Sequence, residues 1–319
     1  MSHRRQFLIQ TCKAAGAAAT CAGAGWWFSK RDQVEDSKTL PVLKDYSVPH
    51  APELPGLAIA KGADPGPLVR SALDALGGME RFVSPGDVVL VKPNAAFDRP
   101  PVFGATTHPA VVGAVVRLCK RAGAERVIVT DFPIHSFERC FERSGIGQAV
   151  AESGGELWVP SPDDFETIDL EGWVLGPWPV YAKPLSAANK LIGIPTAKDH
   201  NLCGASLSMK NWYGFLGEGR NRLHQDIHNA ITDLCQAFKG TLVVLDATRL
   251  LMRNGPTGGS TSDVQEGNTI CCSTDPVAVD AFGAELLGKN DLCDYLALAE
   301  ERALGISDWR SLSPKEVSL

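Results

Sequence analysis

The chain has 319 residues, 44% of them apolar, with 31 basic against 37 acidic side chains and a net charge of −6. That length buries a full globular core, while the acidic balance without basic runs excludes nucleic-acid binding through the phosphate backbone. Beyond the first 28 residues no apolar run reaches the roughly 20 residues a bilayer span needs.

The N-terminus reads Ser2-His3-Arg4-Arg5-Gln6-Phe7-Leu8-Ile9, an arginine pair, one spacer and Phe-Leu. This is the pattern of a twin-arginine signal. A weakly apolar, Ala- and Gly-rich stretch from Ala14 to Phe28 follows, with Ala22-Gly23-Ala24 as a small-x-small cleavage site. Residues 1–28 are therefore expected to be an export leader, read by the twin-arginine translocation machinery, which moves folded proteins. The expected location is periplasmic or otherwise extracytoplasmic, with membrane anchoring by an uncleaved leader as the alternative. Arg4, Arg5 and Lys13 are the only charges ahead of Gly25, so cleavage there moves the net charge from −6 to −9.

Residues 29–55 are charged and then proline-dotted, and read as a linker. From residue 56 to 319 a single α/β domain is expected. Leu57–Ala60 is a short strand, Pro65–Leu76 a helix, and Asp87–Lys92 a buried strand. His108–Ala122 is a helix with Val111, Val112, Val115, Val116 and Cys119 on one face, and Arg126–Thr130 the next strand. Such alternation predicts a mostly parallel sheet flanked by helices. Around 152–184 tryptophans and prolines break the pattern, which predicts an irregular strand and loop insertion. Lys190–Pro195, Thr241–Ala247 and Asn268–Ser273 read as strands, Asn229–Phe238 as a helix. Asp275 then caps a helix to Leu287 with Pro276 at its first position.

Polar residues gather after these strands, where ligands of open parallel sheets collect. Lys92 and Asn94 follow one strand and Asp131 another; Lys198, Asp199 and His200 follow the strand ending near Pro195. Asp246 closes a further strand. A lysine ending an apolar run is costly to bury without an anion or carboxylate, so Lys92 either binds substrate or pairs with Asp131 or Asp246. Lys210-Asn211-Trp212-Tyr213-Gly214, followed by His224 and His228, is the densest cluster. The four-residue histidine spacing puts both on one face of a helix, and with Asp275 they form a candidate set for a divalent metal. Acid–base or hydrogen-bonding work by a single histidine is the alternative. Asn254-Gly255-Pro256-Thr257-Gly258-Gly259 reads as a plain loop or an anion nest.

Seven cysteines lie beyond the leader without a C-x-x-C pair, which predicts small buried hydrophobes and disfavours an iron–sulfur cluster. No nucleotide, serine-hydrolase or zincin motif is present.

In this order the clusters resemble the family catalogued as domain of unknown function 362. The resemblance rests on Val89-Leu90-Val91-Lys92-Pro93-Asn94, Thr107-His108-Pro109, Lys198-Asp199-His200, and Leu207-Ser208-Met209-Lys210-Asn211 with Gly214 and His224. It continues to Gly255-Pro256 and Ser273-Thr274-Asp275-Pro276-Val277-Ala278-Val279-Asp280, covering about 56–290. It implies domain limits and candidate residues rather than a reaction. Some relatives carry an attached ferredoxin module, and the absence of its cysteine spacing from this sequence leads to no such role being expected here.

The expected function is an exported enzyme acting on a small anionic or polyhydroxylated substrate. His200, His224 and Lys210 would be catalytic, and Lys92, Asn94, Lys198 and Asn211 would bind substrate. A metal- or iron–sulfur-linked redox protein and a solute-binding protein are the alternatives.

Overall fold

In the computed structural model, which describes residues 40–49 and 51–319, strands and helices alternate from Leu57. The first are β1 (Leu57–Lys61), α1 (Pro65–Ala75), β2 (Val88–Pro93), α2 (Pro109–Arg121) and β3 (Arg126–Val129). Next come α3 (Phe137–Arg143), α4 (Ile146–Glu152), β4 (Glu156–Leu157), β5 (Phe165–Asp169), β6 (Pro177–Tyr181) and α5 (Ala182–Ala187). The rest are β7 (Lys190–Ile194), β8 (Thr196–His200), β9 (Gly204–Ser206), α6 (Ser208–Asn211), α7 (Ile227–Ala237) and β10 (Leu242–Leu251). β11 (Val264–Ser273), α8 (Pro276–Leu287), α9 (Tyr295–Glu301) and β12 (Lys315–Ser318) complete the chain.

The main sheet runs β12-β1-β11-β10-β7-β2-β3-β4. The run β10-β7-β2-β3-β4 is parallel throughout, whereas β11 is antiparallel to both β1 and β10. β8 continues beside β10 in parallel and carries β9 antiparallel to it. The protein is thus α/β, with a mostly parallel sheet between helical layers.

Period-two alternation along the strands explains the layers. Val89, Val91, Val127 and Val129 enter one core with Leu68 and Leu73 of α1 and Val112 and Val115 of α2. Leu90, Ile128 and Leu191 point the other way, toward Ile231 and Leu234 of α7 and Val277 and Val279 of α8. Each such buried aliphatic side chain contributes about 1.5–3 kcal/mol. Helix starts follow local chemistry: Pro65, Pro109 and Pro276 occupy first positions, and Asp64, His108 and Asp275 accept backbone N–H groups there.

One expectation holds and one needs correcting. The 152–184 stretch is an insertion of short strands and loops: β4 joins the main sheet, and β5 with β6 forms a separate antiparallel pair. Its tryptophan and valine at 178 and 180 pack into the core, which is why prolines there do not unravel it. The stretch read as a linker to residue 55 is docked from Pro41. Tyr46 is buried, its hydroxyl donates to Leu185 O at 2.7 Å and its N–H to Lys239 O at 2.9 Å. The leader lies outside the described residues. Among those described, no helix is long and apolar enough to cross a membrane.

Candidate functional site

Beyond the carboxyl ends of β2 and β3 lies a cavity of about 100 Å³, room for several waters at roughly 10–15 Å³ each by the same measure. Lys92, Asn94 and Asp131 reach it from the strand ends, and Lys198 and His200 from β8. Lys210 and Asn211 enter from α6, and Tyr213, Arg220 and His224 from the turns that follow. All seven residues expected to be catalytic or substrate-binding therefore line one space. Lys198 and His200 follow β7 as expected but lie in a strand of their own, β8, where they alternate with Asp199, so both face the cavity.

Lys92 is almost fully buried, with its ammonium 2.7 Å from Asp131 Oδ1. It also donates to Pro93 O at 2.9 Å and Asn211 Oδ1 at 3.1 Å. Three donors meet three acceptors, so Lys92 supplies charge and position and has no donor left for a ligand. Asp131 accepts in addition from the N–H groups of Ala95 and Phe132. The network continues from Asn211 Oδ1 to Asn94 Nδ2 at 3.1 Å, and from Asn94 Oδ1 to Lys198 Nζ at 2.9 Å. Lys198 donates also to Ala105 O at 2.7 Å and lies 4.9 Å from the Phe97 ring centroid.

Positive charge exceeds negative here. Asp131 is the one carboxylate among the cavity-lining residues, against Lys92, Lys198, Lys210 and Arg220. Lys210 has no acceptor among the described residues and lies 4.4 Å from the Tyr213 ring centroid. Arg220 donates to the carbonyls of Phe132, Pro133, Tyr213 and Leu216, tying two loops together. Burial, reinforced by Lys210, holds the Lys198 amine well below the ordinary lysine range. Burial and the neighbouring ammonium groups pull His200 down to about 2 and also lower His224.

Two features hold this array in place. Asp280 of α8 is fully buried and accepts from the N–H groups of Ser208 and Met209 at 2.7 and 3.1 Å. It thereby anchors the turn that carries Lys210 and Asn211. Gly214 is the second: a Cβ there would overlap Asp131 Oδ1 and come within 2.6 Å of Lys92 Nζ. Moving either neighbour would break the ion pair or its hydrogen bonds, so Gly214→Ala should cost about 3 kcal/mol in urea unfolding. A loss below about 1 kcal/mol would mean that the ion pair shifts freely.

The candidate metal set is not assembled. His224 lies in a 3₁₀ segment, Arg220–Asp226, and His228 in α7, so the spacing does not place them on one helix face. His224 stacks against His200, whereas His228 stacks on Tyr295. Asp275 caps α8, accepting from Val277, Ala278 and Ile306 N–H groups. No cluster of three metal-binding side chains occurs among the described residues. Asp246 is likewise engaged, accepting from the N–H groups of His108 and Thr248 and from the Thr248 hydroxyl. In the glycine-rich loop Gly255 N–H donates to Asp199, so that amide is not open to an anion, while Pro256 reaches the cavity. The seven cysteines are buried and unpaired.

Tyr213 and Arg220 were not singled out as ligands by sequence, and Asp280 appeared only inside a motif. An acid within the apolar run Val277-Ala278-Val279-Asp280-Ala281 was the available signal. Arg220 had none, because its partners are backbone carbonyls.

Fold and site together define an α/β protein with a cation-rich cavity at the strand ends. The chain belongs to the family described as Domain of unknown function (DUF362), which matches residues 89–285. It is 26% identical over 260 residues to the thylakoid-associated protein sll1697 of Synechocystis sp., covering 75% of this chain and 74% of that one. The lactate racemase apoprotein from Thermoanaerobacterium thermosaccharolyticum aligns with a TM-score of 0.41 at 14% identity, over 77% of this chain and 60% of that structure.

Proposed function

We propose that the protein is an exported enzyme that binds a small organic anion in this cavity and moves a proton on it. One observation carries the reading: four cations surround a space whose single carboxylate, Asp131, is already bound to Lys92. Burying like charges together is costly unless a negative partner arrives. The partner's size is limited by the cavity, which suits a small acid rather than a polymer. His224 offers an unprotonated ring nitrogen for proton transfer, and Lys198 an amine that holds its proton loosely. The export reading rests on the Arg4-Arg5 leader.

Thermal shift with small carboxylates tests the binding. Ligand that binds only the native state stabilises by RT ln(1 + [L]/Kd), about 2.7 kcal/mol at a hundredfold excess over Kd. Lys210→Met should abolish that stabilisation while leaving the unliganded midpoint within a few degrees, because Lys210 has no acceptor to lose. A variant that still responds to the same acid would remove Lys210 from the site. Stabilisation without any turnover of the acid would make the protein a solute binder.

A further inference from the structure

The two imidazoles narrow the ligand further, an inference that rests on the anion reading above. His200 Nδ1 accepts the Leu202 N–H at 3.2 Å. Its proton is therefore on Nε2, a donor with no protein acceptor among the described residues. His224 Nδ1 lies 3.0 Å from Asn221 O, a carbonyl that can only accept. Its proton is therefore on Nδ1, and Nε2 presents a bare lone pair. The rings are neighbours, with centroids 6.1 Å apart and planes within 11°. Burial, and after it the charge of the neighbouring lysines, keeps both neutral by making a further positive charge unfavourable.

A donor and an acceptor on neighbouring, nearly parallel rings select a group that can answer both. A carboxylate oxygen would meet the His224 lone pair, and an ammonium would meet the His200 N–H. A hydroxyl accepts from one and donates to the other through a single oxygen. The Tyr213 hydroxyl strengthens the case: it is buried, lines the cavity beside His224 and has no hydrogen-bond partner. An unpartnered buried hydroxyl costs about 1–3 kcal/mol, which a second oxygen of the ligand would offset. Lys198 and His200 stand two residues apart on one face of β8, about 7 Å between Cα atoms. That spacing keeps the anionic and hydroxyl subsites adjacent.

We propose that the ligand is a small hydroxy acid, its carboxylate held by Lys198 and Lys210 and its hydroxyl by His200 and His224. Calorimetric titration of the whole protein with two matched pairs, glycolate against acetate and malate against succinate, tests this. The hydroxylated member should bind about tenfold more tightly or better. His224→Phe should bring the ratio to about one, and Lys210→Met should remove binding of both. Equal affinities within each pair, with both lost in Lys210→Met, would overturn the hydroxyl subsite and leave the anion site standing. No binding by either pair would overturn both.

Discussion

Asp131→Ala should destabilise the protein by about 3–5 kcal/mol, the usual cost of removing one partner from a buried ion pair. Asp131 and Lys92 are each 1% exposed and 2.7 Å apart. Without the carboxylate, Lys92 is buried with Lys198, Lys210 and Arg220 as company and no countercharge, and the Ala95 and Phe132 N–H groups lose their acceptor. Lys92→Met should cost less, because Asp131 would keep those two donors. In Asp131→Ala/Lys92→Met the lone charge is gone as well, so the double variant should recover at least 2 kcal/mol relative to Asp131→Ala. Urea unfolding of the four proteins completes the cycle. Additive losses would show that the two groups do not interact.

The β-α-β alternation was legible because burial imposes a period that local sequence must carry. The strand read as Asp87–Lys92 is Val88–Pro93, and the helix read as His108–Ala122 is Pro109–Arg121 with His108 as its cap. The convergence of Lys92, Asn94, Lys198, His200, Lys210, Asn211 and His224 on one cavity was legible for a related reason. Ammonium groups at the ends of apolar runs are too costly to leave in the interior without a common purpose.

What sequence misplaced depended on contacts between distant segments. Whether His224 and His228 share a face turns on where a helix begins, and α7 starts only at Ile227. Asp275 carries both a capping signal and a metal-ligand signal, and three backbone N–H groups take it. For Lys92 the sequence offers either a substrate or a pair with Asp131 or Asp246, and the pair with Asp131 is seen only once its three acceptors, two of them from other elements, are placed. Arg220 bonds carbonyls 87 and 88 residues away, a relation that leaves no local pattern.

The second large effect concerns the proton on Asp280. Ser208 Oγ has one proton but faces two acceptors, Pro276 O at 3.1 Å and Asp280 Oδ1 closer still. Both contacts are satisfied when Asp280 is itself protonated and donates to Ser208 Oγ. The titratable groups around it are Asp275, Cys203, Cys235, Cys293 and Tyr295, all acids, with no cation among them. Burial accordingly pushes its carboxyl up to about 7. The folded state then binds a proton that the unfolded chain releases near 3.9. Stability from this group is complete below that pH and is lost as pH rises through about 7, with a limiting slope of roughly 1.4 kcal/mol per pH unit. Asp280→Asn cannot titrate, so the stability of wild type relative to this variant should decline from pH 4 to 7. Asp280→Ala should cost more than Asp280→Asn, since it leaves the Ser208 and Met209 N–H groups without an acceptor. It should also weaken acid binding by loosening the turn under Lys210. A wild-type-to-Asn difference that stays flat across this range would mean an ionised Asp280 and a Ser208 proton directed to it rather than to Pro276.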